Sequence, residues 1–202
     1  MCIRDRNLGA VGLTTDRDFL WVNDRMRTTR CDVFCIGDAN GRSLLAHAAS
    51  AQAMTAVHNT LGKDEAFTEP IPTAVYTFPE IASVGLTEAQ AQAQSVPVVV
   101  GRYPLRHLGK AMAIEESDGF VKVLRHESSG ELLGVHMIGH NATDCITTAV
   151  AMIRQRVSAR DLAALVAPHP SMSEALKDAA GDAFGAALHA PPRQLEMKGA
   201  TQ

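Results

Sequence analysis

Alternating apolar and polar positions mark the second half of the chain as a sheet with one buried face. Period-two alternation runs through 120–124 and again through 132–138, and the polar segment HESSGE between them, with Gly130, predicts a hairpin turn. Because successive side chains of a strand point to opposite faces, this pattern favours antiparallel strands that are buried on one side. Further strands are predicted over 73–77, 81–85 and 96–105.

Helical spacing replaces the alternation after Asn141. A last helix is predicted over about 172–188, and a shorter one over 87–94, where Thr87 and Gln90 have capping-box spacing. Antiparallel strands followed by helices predict an α+β domain, with an antiparallel sheet and helices on one face. The apolar residues that recur at helical spacing after Asn141 are Ala142, Cys145, Ile146, Ala149, Val150 and Ile153.

The first part of the chain has a different pattern. Two short apolar runs, 19–22 and 32–36, are β-prone, and the second is predicted to be a buried strand that ends at Gly37. A helix is predicted from a Ser43 cap to about residue 61. The apolar residues on one face of this helix are Leu44, Ala48, Ala51 and Val57.

A polar segment with two prolines, 63–72, is the predicted boundary between the two parts. The charged stretch 1–6 is interpreted as an artefactual leader. The C-terminal stretch 189–202 has no apolar periodicity and is interpreted as a flexible tail. We therefore expect two structured regions, 7–65 and 71–188.

Composition narrows the class of protein. The 202 residues include 19 Lys and Arg against 22 Asp and Glu, for a net charge of −3, so the basic surface of a nucleic-acid-binding protein is not expected. No apolar run is long enough for a membrane helix. The four cysteines lack the spacing of zinc ligands, no secretory signal is visible, and no metal site is predicted. These features favour a cytoplasmic protein without nucleic-acid or membrane partners.

The first candidate site follows the apolar run 32–36. A carboxylate at Asp38 can accept hydrogen bonds from a sugar-like hydroxyl, and the helix start near Ser43 offers free N–H groups and a partial positive charge. Together these groups suit a cofactor that has a polyol and an electron-rich ring. The alternative is purely structural, with Asp38 opening a turn and Ser43 capping the helix.

The second candidate site is the sequence HPSMSE, from His169 to Glu174. A carboxylate that is bonded to one imidazole nitrogen orients the ring, which leaves the other nitrogen as a general base. The alternative is again structural, because Ser171 and Glu174 have the spacing of a capping box.

Three motifs, taken in order, resemble the pyridine-nucleotide disulfide oxidoreductases. MRTTRCDVFCIGDANGRSLLAHAASAQ resembles their second FAD-binding stretch, PTAVYTFPEIASVGLTEAQA the start of their dimerisation domain, and HPSMSEALKDAA its catalytic end. The resemblance extends over nearly the whole chain, from about Asn7 to Leu188. It implies that 7–65 is the C-terminal part of an α/β FAD-binding domain and that 71–188 is a dimerisation domain.

The resemblance also implies roles for the candidate residues. Gly37 and Asp38 would bind FAD, with Asp38 at the ribityl chain or beside it. His169 would be the acid/base that manages a thiol proton, and Glu174 would orient it. In this family that pair reaches the active site of the other subunit, so a homodimer is implied. The residues that would lie under the flavin are Leu44, Leu45, Ala46 and His47.

Several family features are absent from the sequence. The catalytic CxxxxC pair, the GxGxxG that binds the FAD pyrophosphate and the nicotinamide-binding domain are missing, and Ala167 stands where a second histidine is common. We therefore expect this chain to be the C-terminal part of a longer parent enzyme, inactive by itself. The nicotinamide cofactor, NAD or NADP, would bind in the missing part.

The amino-acid sequences of two motifs favour one substrate class. VYTFPEIASVG and HPSMSEA are most like the family members that oxidise a dihydrolipoyl dithiol, so the expected partner is a lipoyl domain of a 2-oxoacid dehydrogenase complex. Mercuric or glutathione reductase-like members are alternatives, although mercuric reductases generally lack a histidine before the proline. A second kind of alternative is a non-catalytic dimerisation module.

Overall fold

The computed structural model describes residues 7–190 and divides the chain into two compact units, 1–69 and 70–202. The predicted leader over 1–6, and the predicted tail from residue 191 onward, lie outside the described residues. Each unit is described by itself below.

The first unit is built around one helix, α1, which spans Ala46–Thr60. Short 3₁₀ turns lie at Leu8–Val11 and Gly37–Asn40. The β-prone runs do not form strands here: Phe34 pairs with Arg27 only in an isolated bridge, and Phe19 with Asp16 in another. The predicted buried strand before Gly37 was therefore wrong.

The buried side of α1 also differs from the prediction. Val57 and Leu44, which were expected on the inner face, are 53% and 62% exposed. The inner face is instead largely polar, so apolar periodicity could not locate it. The buried residues of α1 are Ala48, Gln52, Thr55, Ala56 and Asn59.

The second unit is a five-stranded antiparallel sheet in the order β1-β2-β5-β4-β3. Its helices precede, interrupt and follow the strands along the chain. The strands are β1 (Thr73–Val75), β2 (Glu80–Gly85), β3 (Val98–Pro104), β4 (Phe120–His126) and β5 (Leu132–Gly139). The helices are α2 (Glu88–Ala93), α3 (Gly109–Ala113), α4 (Ala142–Arg154), α5 (Ala159–Ala164) and α6 (Glu174–Asp182).

One face of this sheet forms the core under α4 and α6. The strand pairing places alternate residues of four strands on that face, so the predicted α+β class and the period-two pattern are confirmed. Helix α2 lies at the opposite face, where Glu88 accepts hydrogen bonds from Arg102 and Lys122. The sheet residues buried beneath the helices are Ala82, Val84, Tyr103, Val121, Val123, Val135 and Met137.

A glycine lets α6 approach the sheet closely. A Cβ atom at Gly101 would overlap the backbone of Ala179 and Ala183, so no side chain fits between β3 and α6. Helix α6 ends at Asp182 rather than near 188, because the chain turns at Gly185, which has a φ of 69°. This close contact lies at the C-terminal end of α6, whereas the second candidate site lies at the start of the helix.

The Thr87–Gln90 capping box is present at the start of α2 as predicted. Within residues 7–190, no helix combines the length and the apolar character that crossing a membrane requires.

Candidate functional site

His169 and Glu174 meet at the start of α6. The Nδ1 atom of His169 lies 2.9 Å from Oε1 of Glu174, and the other carboxylate oxygen accepts the backbone N–H of Ser171 at 2.8 Å. The histidine side chain is 73% exposed, whereas that of Glu174 is only 12% exposed. One oxygen of Glu174 therefore contacts the imidazole, and the other holds the backbone of Ser171. The capping box that the sequence left open is incomplete, because the N-cap of α6 is Ser173, without a side-chain cap hydrogen bond among the described residues.

The charge on Glu174 determines which ring nitrogen of His169 is available to accept a proton. Burial raises the pKa of Glu174, but the Ser171 N–H and the His169 ring outweigh it, so the pKa lies below its usual range. An ionised carboxylate can only accept hydrogen bonds, so Nδ1 of His169 must be the donor. In the neutral ring, Nε2 then carries the lone pair. Nε2 makes no hydrogen bond to any residue between 7 and 190, and it can take up or release a proton.

A second imidazole–carboxylate pair follows one turn later on α6. Asp178, which is 2% exposed, accepts the backbone N–H groups of Leu188 and His189 and lies 3.0 Å from His189 Nδ1. Burial, reinforced by the charges of Asp178 and Glu174, raises the pKa of the adjacent Tyr103 hydroxyl to about 12. Asp178 therefore fastens the chain that follows α6, and Tyr103 stays protonated.

The first candidate site is a tight turn that a buried amide supports. Gly37 has a φ of 64°, and its N–H donates to Oε1 of Gln52 at 2.8 Å. The same oxygen accepts the side-chain amide of Asn40, also at 2.8 Å. Gln52 is 1% exposed, whereas Asp38 on the outer side of the turn is exposed. The network therefore holds the turn from inside and presents Asp38 outward.

The start of α1 lacks a side-chain cap. Its N-cap residue is Leu45 rather than the predicted Ser43, and no side-chain cap hydrogen bond forms there among the described residues. The partial positive charge of a helix N-terminus lies at this end of α1. The predicted flavin-facing residues at this end are mostly exposed: Leu44, Ala46 and His47 are exposed and Leu45 is half-buried.

Asp38 presents a carboxylate and Leu44 an apolar side chain to the outside, beside the start of α1. A carboxylate can accept hydrogen bonds from a polyol, and an apolar side chain can pack against an aromatic ring. Sequence reasoning placed Asn40 in the turn but missed Gln52, whose buried side chain holds both Asn40 and Gly37. A polar residue on the inner side of an alanine-rich helix was the available signal.

Comparison with known proteins identifies the family. Residues 71–180 match the model of the pyridine nucleotide-disulphide oxidoreductase dimerisation domain, and the chain belongs to that family. Strong similarity to curated proteins extends beyond this domain. The chain is 38% identical over 178 residues to a dihydrolipoyl dehydrogenase of Chlamydia muridarum, covering 88% of this chain and 38% of the relative. It is 42% identical over 175 residues to a dihydrolipoyl dehydrogenase of Chlorobaculum parvum, and this match covers 86% of this chain and 37% of the relative.

Solved structures agree with this assignment. LpdA of Mycobacterium tuberculosis superimposes with a TM-score of 0.81 at 28% identity, over 88% of this chain and 39% of that protein. The HOCl-induced flavoprotein disulfide reductase RclA of Escherichia coli has a TM-score of 0.76 at 21% identity and shares the fold. The region is thus similar to part of dihydrolipoyl dehydrogenases, and it spans less than half of their length.

Proposed function

We propose that this chain is the C-terminal part of a flavin-dependent oxidoreductase that transfers electrons from a dihydrolipoyl dithiol to NAD or NADP. The observation that carries the proposal is the His169–Glu174 pair, in which a buried carboxylate fixes the tautomer of an exposed imidazole. Similarity to dihydrolipoyl dehydrogenases supports the substrate class.

His169 handles the proton of the substrate. Its Nε2 accepts the S–H proton of the dithiol, and the resulting thiolate is the nucleophile that attacks a protein disulfide. Glu174 holds the ring and stabilises the imidazolium that forms. The protein disulfide belongs to the part of the parent that carries the cysteine pair. Oxidation of the dithiol to a disulfide releases two electrons and two protons. The nicotinamide cofactor, held in the other part of the parent, would take both electrons and one proton as a hydride, and the second proton would leave to solvent.

At the other site, Asp38 and the start of α1 hold the cofactor. The carboxylate of Asp38 would accept a hydrogen bond from a hydroxyl of the ribityl chain, and the start of α1 at Leu45 would supply its partial positive charge near the ring. FAD, when bound, supplies the two-electron relay between dithiol and nicotinamide.

A cytoplasmic location completes the proposal, since the described cysteines, Cys31, Cys35 and Cys145, are free thiols.

The 202-residue chain is expected to form a homodimer through its second unit. Several large apolar side chains there are exposed: Tyr76 and Phe78 are each 80% exposed, and Val166 is 98% exposed. Such side chains suit an interface with a second copy. Sedimentation at micromolar concentration should give twice the 21.6 kDa of the chain. A monomer would contradict this part of the proposal.

The activity is tested in the full-length parent. We expect the purified protein to show flavin absorption and to reduce NAD or NADP when dihydrolipoamide is added. Glutathione disulfide and Hg²⁺, the substrates of the alternative reductases, are assayed alongside through the oxidation of NADH or NADPH. Activity with either alternative alone would reassign the substrate class. A parent that binds no flavin would leave the second candidate, a non-catalytic dimerisation module, which the exposed apolar surface of the second unit favours.

A further inference from the structure

A separate cavity of about 270 Å³ lies at the turn between β4 and β5. It is lined by Arg125 at the end of β4, Arg160 in α5 and Phe184 just after α6. Hydroxyl groups from Ser129 and Ser158 complete much of the wall. This cavity has a different composition from the two sites described above, because cationic and hydroxyl groups dominate it.

Both arginines stack on the same aromatic ring. The guanidinium carbons of Arg125 and Arg160 lie 4.4 and 4.5 Å from the centre of the Phe184 ring. Each such contact stabilises a cation, because the face of an aromatic ring carries partial negative charge. The ring therefore holds two like charges near one another, although they repel.

Arg125 is fixed by the backbone as well. Its Nε donates to the Ala183 carbonyl at 2.9 Å, and Nη1 donates to the carbonyls of His126 and Glu127 at 3.2 and 2.9 Å. Its remaining nitrogen, Nη2, has no hydrogen-bond partner in the part of the chain that the structure describes. The guanidinium is thus pre-organised, with one donor edge left for a ligand.

The charges in the cavity are not balanced within the described residues. Neither Arg125 nor Arg160 forms an ion pair there, and Glu127 is the one carboxylate among the described residues that line the cavity. Burial lowers the pKa of Arg125, the charge of Arg160 lowers it further, and Glu127 partly offsets these effects. Other arginines of the chain do have carboxylate partners, as in the pairs Arg25–Asp64, Arg30–Asp32 and Arg156–Glu131.

We propose that this cavity binds a phosphate dianion between Arg125 and Arg160. Arg125 offers the N–H groups of its Nη2, and Arg160 those of its guanidinium, for charge-assisted hydrogen bonds to the phosphate oxygens. The hydroxyl of Ser129, whose oxygen accepts the Glu131 N–H, lines the cavity and has its own O–H available to donate another. The ligand is inorganic phosphate or the phosphate group of a small metabolite, and the volume of the cavity accommodates either.

Calorimetric titration of the 202-residue chain tests the proposal. Sodium phosphate and glycerol phosphate are titrated at slightly alkaline pH, against sodium chloride at equal ionic strength, so that general screening is matched. We expect saturable binding of at least one phosphate compound and none of chloride. Tighter binding of glycerol phosphate identifies a phosphorylated metabolite as the ligand, and equal or weaker binding identifies free phosphate.

Arg160→Gln should weaken phosphate binding at least about tenfold, because it removes one charged hydrogen-bonding partner. Arg160 is exposed, so this variant should keep its fold, which circular dichroism verifies. The matched control is Arg106→Gln, which removes the same charge from an exposed arginine outside the cavity. Absence of saturable phosphate binding, or equal losses in the two variants, would overturn the proposal.

Discussion

His169→Gln in the full-length parent is expected to lower turnover with dihydrolipoamide by about 10²–10⁴-fold. Glutamine keeps a polar group of similar reach, but it cannot accept the thiol proton that Nε2 of the oriented ring accepts. The pH dependence of turnover should also lose the limb that belongs to the imidazole. Steady-state kinetics across the pH range measures both effects.

A matched control separates catalysis from structure. His58 is also paired with a carboxylate, since its Nδ1 lies 2.5 Å from Glu65, but it belongs to neither candidate site. His58→Gln should leave turnover within about twofold, since surface changes away from special features are nearly neutral. Equal rates for the parent and His169→Gln would remove His169 from the mechanism.

Glu174→Gln addresses the positioning role within the same experiment. The amide oxygen can still accept the Nδ1–H of His169, but the negative charge that stabilises the imidazolium is gone. We expect turnover to fall less than with His169→Gln, and the imidazole limb of the pH profile to move. A purely structural Glu174 would leave that limb in place.

The second unit could be predicted well because one period governs it. In 120–124 and 132–138, alternate residues enter a single buried face, so the hydrophobic pattern and the pleat carry the same information. Helix α4 was equally accessible, because Ala142, Ile146 and Ala149 are buried at helical spacing. The local spacing of apolar residues was sufficient to predict an element wherever the buried side chains are apolar.

The first unit could not be predicted in the same way. Its apolar run 32–36 looked like a buried strand, but it pairs through one bridge only. Its helix α1 buries Gln52 and Asn59, because the loops that pack on it present unpaired backbone groups that need polar partners. These hydrogen-bond partners are distant along the chain, so the local spacing of apolar residues does not predict them.

A site could be predicted from the sequence when its residues are close together along the chain, and could not when they are far apart. His169 and Glu174 are five residues apart, and the helix start between them brings the two groups together. Arg125 and Arg160 are brought together by the sheet, the turn and the ring of Phe184, so their proximity is a property of the fold alone.

Gln52→Leu is expected to release the turn that carries Asp38. Leucine has nearly the same size but no acceptor, so the buried N–H of Gly37 would lose its partner and Asn40 would lose one of its bonds. An orphaned buried donor costs about 1–3 kcal/mol, which should accelerate exchange of the Gly37 amide hydrogen in the 202-residue chain by about tenfold or more.

Amide exchange followed by NMR measures this local opening without requiring the two units to unfold together. Ser50→Leu is the matched control, because it replaces an exposed polar residue on the same helix and leaves the Gln52 network intact. In the full-length parent, flavin affinity should fall with Gln52→Leu and stay unchanged with Ser50→Leu, because only the first variant frees the turn beneath Asp38. Unaltered Gly37 exchange in Gln52→Leu would mean that the turn is held by its own backbone, and the amide would then have no part in positioning Asp38.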